Sequence, residues 1–172
     1  ISYKILYGED VKDKQNLKSY YCNESGLRMT PFFYAEFYSY KWAADHLKLP
    51  KYVGFCHYRK YFKFFDDIPD IDKMFETCDC IVASPLKTQD TIRKQYEMTH
   101  NIEDLEIVER IIKEKYPEYY QSCELFLDGQ LMVPYNMFIM TRENFRDLCD
   151  FVFGVINAYL DVVGDRDRKS VV

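Results

Sequence analysis

Glycine is scarce in this chain, with only six among 172 residues. No Gly-rich phosphate loop, nucleophile elbow or zinc-protease helix pattern occurs, which removes the common nucleotide-hydrolase, esterase and metalloprotease readings. No apolar run approaches the roughly 20 residues that cross a bilayer, and the N-terminus carries no signal-peptide pattern. Basic charge is short as well: 23 lysines and arginines face 28 acidic residues, for a net charge of −5. That balance argues against a general nucleic-acid surface, which needs a basic face, but leaves room for a local basic patch. The chain starts at Ile1 without an initiator methionine and is expected to be a piece of a longer protein or a trimmed one.

The six cysteines, Cys22, Cys56, Cys78, Cys80, Cys123 and Cys149, sit mostly inside apolar segments. A secreted disulfide framework would place them in the loops of a smaller chain, so they read as reduced core thiols of a cytosolic protein. Cys78 and Cys80 flank one aspartate, yet no second Cys or His pair at zinc-finger spacing completes four ligands. What the chain has in plenty is aromatic residues, 16 Tyr and 13 Phe. Such rings suit cores and also stacking surfaces for sugars or bases. With 48% apolar and 30% charged residues, the length fits one globular domain with a proper core.

Periodicity gives the coarse organisation. The opening through Gly26 looks loop-rich after a strand-like start at 1–7. A helix is marked from Thr30 and Pro31, with Phe33, Phe37, Tyr40, Ala44 and Leu47 recurring at three and four until Leu49-Pro50 ends it. A buried strand follows over 52–56, then a short helix over 71–77 and a second buried strand over 80–83, a sequence that fits a parallel crossover. Helices are expected over 90–99, from the Asn101 cap with Ile102, Leu105, Val108 and Ile112 inward, and over 118–126 after the Tyr116-Pro117 break. Residues 131–140 form an edge or interrupted strand broken at Pro134-Tyr135-Asn136. Thr141 caps a long last helix whose inner stripe is Phe145, Leu148, Cys149, Val152, Phe153, Ile156, Tyr159 and Leu160, and Gly164 ends it. No repeat or linker interrupts this α/β pattern.

Chemistry concentrates in Tyr52-Val53-Gly54-Phe55-Cys56-His57-Tyr58-Arg59-Lys60-Tyr61-Phe62. A short strand of buried character there runs into histidine, arginine, lysine and tyrosines, and strand exits are where α/β proteins bind ligands. Alternation puts His57, Arg59 and Tyr61 on one face, where Arg59 can clamp an anion beside His57. An Arg in a salt bridge and an internally hydrogen-bonded His would give the same pattern. His100, just before the Asn101 cap, lies near a helix N-terminus, a setting that favours anions, or serves only as a local cap. His46 is a favourable charge at a helix end. Of the acidic candidates Glu36, Asp66, Asp67, Asp79 and Asp128, the Asp66-Asp67 pair has the oxygen donors that magnesium or manganese takes, but adjacency alone does not show convergence.

Taken together, these stretches resemble a bacterial family of glycosyltransferase-like proteins of capsular and exopolysaccharide biosynthesis, catalogued as a domain of unknown function. The strand exit is similar to that family's Tyr-Ile-Gly-Leu-x-His-Tyr-Arg-Arg-Tyr-Phe, with Lys60 in place of the second arginine. Glu36 and Trp42 look like the glutamate and tryptophan of its Glu-Leu-Thr-x-x-Tyr-Trp helix, with Tyr38 where the threonine would be. Tyr96 and His100, Ile102-Glu103-Asp104-Leu105, Lys115-Tyr116-Pro117-Glu118-Tyr119 and Asn136-Met137-Phe138-Ile139-Met140 match in order. The family's opening strand and its closing Arg- and Glu-Leu-rich helix have no counterpart here.

The resemblance implies a single Rossmann-type layered α/β domain of GT-A kind over 1–164, incomplete at both ends, with a polar tail over 165–172. It implies transfer of a sugar from a nucleotide-sugar donor to a glycan acceptor, in the cytoplasm and peripherally at the inner membrane surface, without a nucleic-acid partner. On this reading Glu36 and His57 are the catalytic candidates. Arg59 and Lys60, with His57, offset diphosphate charge, Tyr96 and His100 close the pocket, and Asn136 orients a sugar hydroxyl. The usual Asp-x-Asp metal motif of such folds is not evident, so either the stretch from His57 to Arg59 replaces it or a metal, manganese or magnesium, is bound elsewhere. The alternative is a non-catalytic or degenerate carbohydrate- or partner-binding domain of the same fold, and a purely structural scaffold is a third reading.

Overall fold

A computed structural model describes residues 37–56, 60, 62–63 and 70–164, the side chains of Tyr38 and Trp42 excepted. The loop-rich opening, the Thr30-Pro31 helix start, Asp66-Asp67 and the polar tail lie outside the described residues. The chain divides into two compact units, one formed by 1–83 with 135–149 and the other by 84–134 with 150–172.

Within the first unit, helix α1 (Phe37–His46) precedes strand β1 (Tyr52–Phe55), helix α2 (Ile71–Met74) and strand β2 (Cys80–Val82). The last strand, β5 (Phe138–Thr141), lies between β1 and β2 in a three-stranded sheet and is antiparallel to both. β1 and β2 therefore run the same way with α2 between them in the chain, the expected parallel crossover, but with β5 between them in the sheet. β5 supplies the reason: Phe138, Ile139 and Met140 are all buried, and a strand that is apolar on both faces is most stable in the middle. Of the edge or interrupted strand expected over 131–140, the interruption is present, since β4 and β5 are separate strands, whereas β5 is not an edge. β2 takes the outer position instead, so Cys80 and Val82 are exposed where a buried strand was expected. Gly54 meets Ile139 across the ladder. A Cβ there would come within 3.1 Å of Ile139 Cγ1, so any larger residue would press on the Ile139 side chain.

Alternation along the sheet sends Phe55 and Phe138 to one face, where they meet Tyr40 from α1 and the fully buried Phe145. Centroid separations of 4.4 Å for Tyr40 and Phe55 and 5.4 Å for Phe55 and Phe145 mark a continuous ring cluster. Burying one such ring contributes about 2–3 kcal/mol. The opposite face carries Phe62, Met137 and Ile139, packed with Tyr52, Phe75 and Ile81.

In the second unit a two-residue ribbon pairs β3 (Leu86–Lys87) with β4 (Leu131–Met132), a pairing absent from the sequence reading. Helices α3 (Ile92–Thr99), α4 (Ile102–Lys115) and α5 (Pro117–Leu127) follow their signals closely. Thr91 accepts from Lys94 N at 3.2 Å, Asn101 accepts from Glu103 N at 3.2 Å, and Pro117 takes the first turn of α5. Their core joins Ile111 and Ile112 to Val155 and Ala158 of α6 (Arg142–Val163).

Thr141 Oγ1 accepts from Asn144 N at 3.2 Å at the start of α6, and Gly164 closes the helix at φ +63°. Along α6 the buried residues are Phe145 and Cys149 in the part that belongs to the first unit, and Phe153, Val155, Ala158 and Val163 in the part that belongs to the second. Only Cys149 among the described cysteines is buried; Cys56, Cys78 and Cys123 are half-buried and Cys80 is exposed, which corrects the expectation of core thiols. Among the described residues, no helix is long and apolar enough to cross a membrane.

Candidate functional site

The register fixes one edge of the sheet. Phe55 and Val82, the last residues of β1 and β2, both pair with Phe138, the first residue of β5. Two carboxyl strand ends and the turn leading into β5 thus share that edge, the position where α/β folds gather ligand groups. His57 and Arg59 follow β1 in the chain but lie outside the described residues, as does Glu36.

Lys60 is exposed, and its ammonium lies over the Tyr135 ring, 5.5 Å from the centroid, a cation–π distance. Cys56 and Phe62, before and after it in the sequence, pack into the same apolar cluster. Burial pushes the Cys56 thiol up, and a hydrogen bond with the Phe62 backbone partly offsets this.

Tyr135 and Asn136 form a left-handed turn, with φ of 72° and 48°. Asparagine tolerates that region through its short polar side chain, whereas a ring-bearing residue held there costs about 1–2 kcal/mol. A buried tyrosine fixes the turn: Tyr40, only 4% exposed, donates from its hydroxyl to Asn136 O at 2.9 Å. The Pro-Tyr-Asn interruption was visible in the sequence, but Tyr135 was read as strand punctuation and missed as a site residue. Its signal was an aromatic residue between two turn formers.

Tyr96 and His100 come together in the second unit, their rings stacked at 4.7 Å and 21°. His100 is the C-cap of α3, its backbone N donating to Tyr96 O at 2.8 Å, and it is also the residue before the Asn101 cap of α4. It therefore sits at the carbonyl end of one helix as well as beside the amide end of the next. Thr99 Oγ1 lies 2.7 Å from His100 Nδ1 and 3.0 Å from Gln95 O.

The sequence candidates are thus grouped by unit, Lys60 and Asn136 around Tyr135 in the first and Tyr96 with His100 in the second. Among the described residues, no group of three or more His, Cys, Asp and Glu side chains could hold a metal ion, and Asp66 and Asp67 lie outside them.

An exposed basic group beside a strained polar turn at two strand ends defines a mixed α/β domain with a ligand-type edge. Its fold is similar to that of a bifunctional glycosyltransferase, WbbM, solved in its apo form. The likeness has a TM-score of 0.67 at 22% identity and covers 80% of this chain; the chain spans about 30% of that protein's length. The chain belongs to the family described as Domain of unknown function (DUF4422), which it matches over residues 3–168. No curated protein matches it.

Proposed function

We propose that this chain is a sugar-nucleotide-dependent glycosyltransferase, of hexosyltransferase type, acting in capsular or other surface polysaccharide biosynthesis. The observation that carries the reading is the strand-end edge, where β1 and β2 finish and Lys60 meets the Tyr135-Asn136 turn. The fold likeness to a glycosyltransferase and the family membership support it. An acceptor hydroxyl attacks the anomeric carbon, the bond to the nucleoside diphosphate breaks, and the departing diphosphate carries away the negative charge. Arg59, His57 and Lys60 offset that charge, and such stabilisation is the main demand of the reaction. Glu36 is the candidate base that takes the acceptor proton, and the Asn136 side chain orients a sugar hydroxyl. Tyr96 and His100 are further substrate contacts. Manganese or magnesium would be the divalent ion, and the GT-A kind of layered fold, the cytoplasm and the inner membrane surface complete the proposal.

A second reading, glycan binding without transfer, is favoured by Lys60, which keeps the charge of an arginine but loses its paired hydrogen bonds. A thermal-shift panel of nucleoside diphosphate sugars, with and without manganese, decides the matter. A uridine or related sugar nucleotide is expected to raise Tm, and Arg59→Ala to abolish the shift. Silence towards every nucleotide on a version extended at both ends would sink the transferase reading, and glycan binding without turnover would establish the alternative.

A further inference from the structure

We infer that Tyr135 is the platform on which the hexose of the sugar nucleotide stacks, with the donor's phosphate on Lys60. The inference rests on the transferase reading and adds to it a residue and the part of the ligand that it recognises. Asn136 needs no ligand to explain it, since asparagine is at home in the left-handed region. Tyr135 carries φ 72° with a bulky side chain and is 44% exposed, the kind of backbone outlier that clusters at ligand sites. The turn is also rigidly held. Tyr40 donates to Asn136 O at 2.9 Å, and the Tyr40 ring is wedged 4.4 Å from Phe55 and 5.3 Å from Phe138.

A strained aromatic side chain on a clamped turn, with an ammonium 5.5 Å from its centroid, fits one class of ligand well. The C–H face of a pyranose packs against an aromatic face, and the anionic group attached to that sugar meets the cation beside it. Both groups stand at the edge where β1 and β2 end.

Glycine separates strain from recognition, because it adopts positive φ freely. Tyr135→Gly is expected to melt about 2–4 °C above the unaltered chain while binding the sugar nucleotide about tenfold more weakly by calorimetry, a loss in keeping with one aromatic stacking contact. Its affinity for the nucleoside diphosphate without sugar should be unchanged, and Tyr135→Phe should bind both as the unaltered chain does. Unchanged sugar-nucleotide affinity in Tyr135→Gly overturns the inference and leaves the transferase reading standing. An equal loss for the bare diphosphate also overturns it, by showing that the ring serves the nucleotide or the turn as a whole. If the unaltered chain binds no sugar nucleotide, both readings fall together.

Discussion

In the first unit Phe145 is wholly inaccessible and is surrounded by Phe55, Phe138 and Tyr40, while in the second a buried cluster of four aliphatic residues, Ile111, Ile112, Val155 and Ala158, has partly buried tyrosines and Phe151 at its margin. The second unit adds polar links at its margin. Arg93 bonds both Glu109 oxygens at 2.6 and 2.7 Å and Asp128 at 3.1 Å, and Tyr159 donates to Asp104 at 2.8 Å. The difference bears on where a demanding site can be built. Interlocked rings leave few alternative arrangements, so a strained turn such as Tyr135-Asn136 can be maintained beside them. A mainly aliphatic cluster with a partly buried ion pair at its margin tolerates adjustment, and no comparable backbone outlier occurs in the described part of the second unit.

The comparison breaks most sharply at Phe145. Phe145→Ala is expected to cost about 3–5 kcal/mol, since the surrounding rings cannot close the space left behind. Against a typical total stability of about 5–15 kcal/mol, that is enough to unfold a large share of the chain in mild urea. Denaturation midpoints followed by circular dichroism would measure it; a loss below about 1 kcal/mol would show that the ring cluster collapses readily and is not the rigid half of the contrast.

The second unit also has tight places, and Gly154 is one. A Cβ at Gly154, in the middle of α6, would collide with Tyr116 Oη, and Tyr116 Cζ lies only 3.0 Å from that position. Alanine normally strengthens a helix interior by about 1 kcal/mol relative to glycine, but the collision should outweigh this and leave a net loss of about 1–2 kcal/mol. A Tm that rises in Gly154→Ala would mean that Tyr116 swings aside, and the looser character of this unit would extend to its centre.

Local signals were the legible part of the fold. Thr91, Asn101, Pro117, Thr141 and Gly164 each mark a helix end through one side chain or one backbone dihedral, and a short stretch of sequence contains that information. Strand partners depend on residues far apart, which is why 131–140 was read as an edge or interrupted strand without its central pairing, and the β3 and β4 ribbon was not read at all. The site divides in the same manner. The basic strand exit and the interrupted Pro-Tyr-Asn segment were each visible, but their meeting follows only from the register of Phe55 with Phe138. His100 was read from the Asn101 cap that follows it; its role as the C-cap of α3 depends on where α3 stops. Left-handed backbone at Tyr135 had no signal of its own, because tyrosine is not a residue from which positive φ is inferred.

The smallest expected effect belongs to the first unit's surface, where Lys51 and the Tyr52 hydroxyl both donate to Asp72, tying the start of β1 to α2. The Lys51 hydrogen bond, and then that of Tyr52, hold the Asp72 carboxyl below its usual value of 3.8, and Lys51 is raised in turn chiefly by Asp72. The folded state therefore binds a proton at Asp72 less readily than the unfolded chain does. Its contribution to stability is complete above about pH 3.8 and disappears as the pH falls through the lower folded value. The raised lysine acts in the opposite sense: its share is complete below the ordinary lysine value of 10.5 and is lost only at higher pH. Asp72→Asn removes both, so the variant should be slightly less stable than the unaltered chain at pH 6 and indistinguishable from it near pH 2, by urea midpoints in low salt. Because the groups are exposed, added salt should shrink the pH 6 difference. A difference that persists undiminished at pH 2 would assign the tie to neutral hydrogen bonding by the Tyr52 hydroxyl rather than to charge.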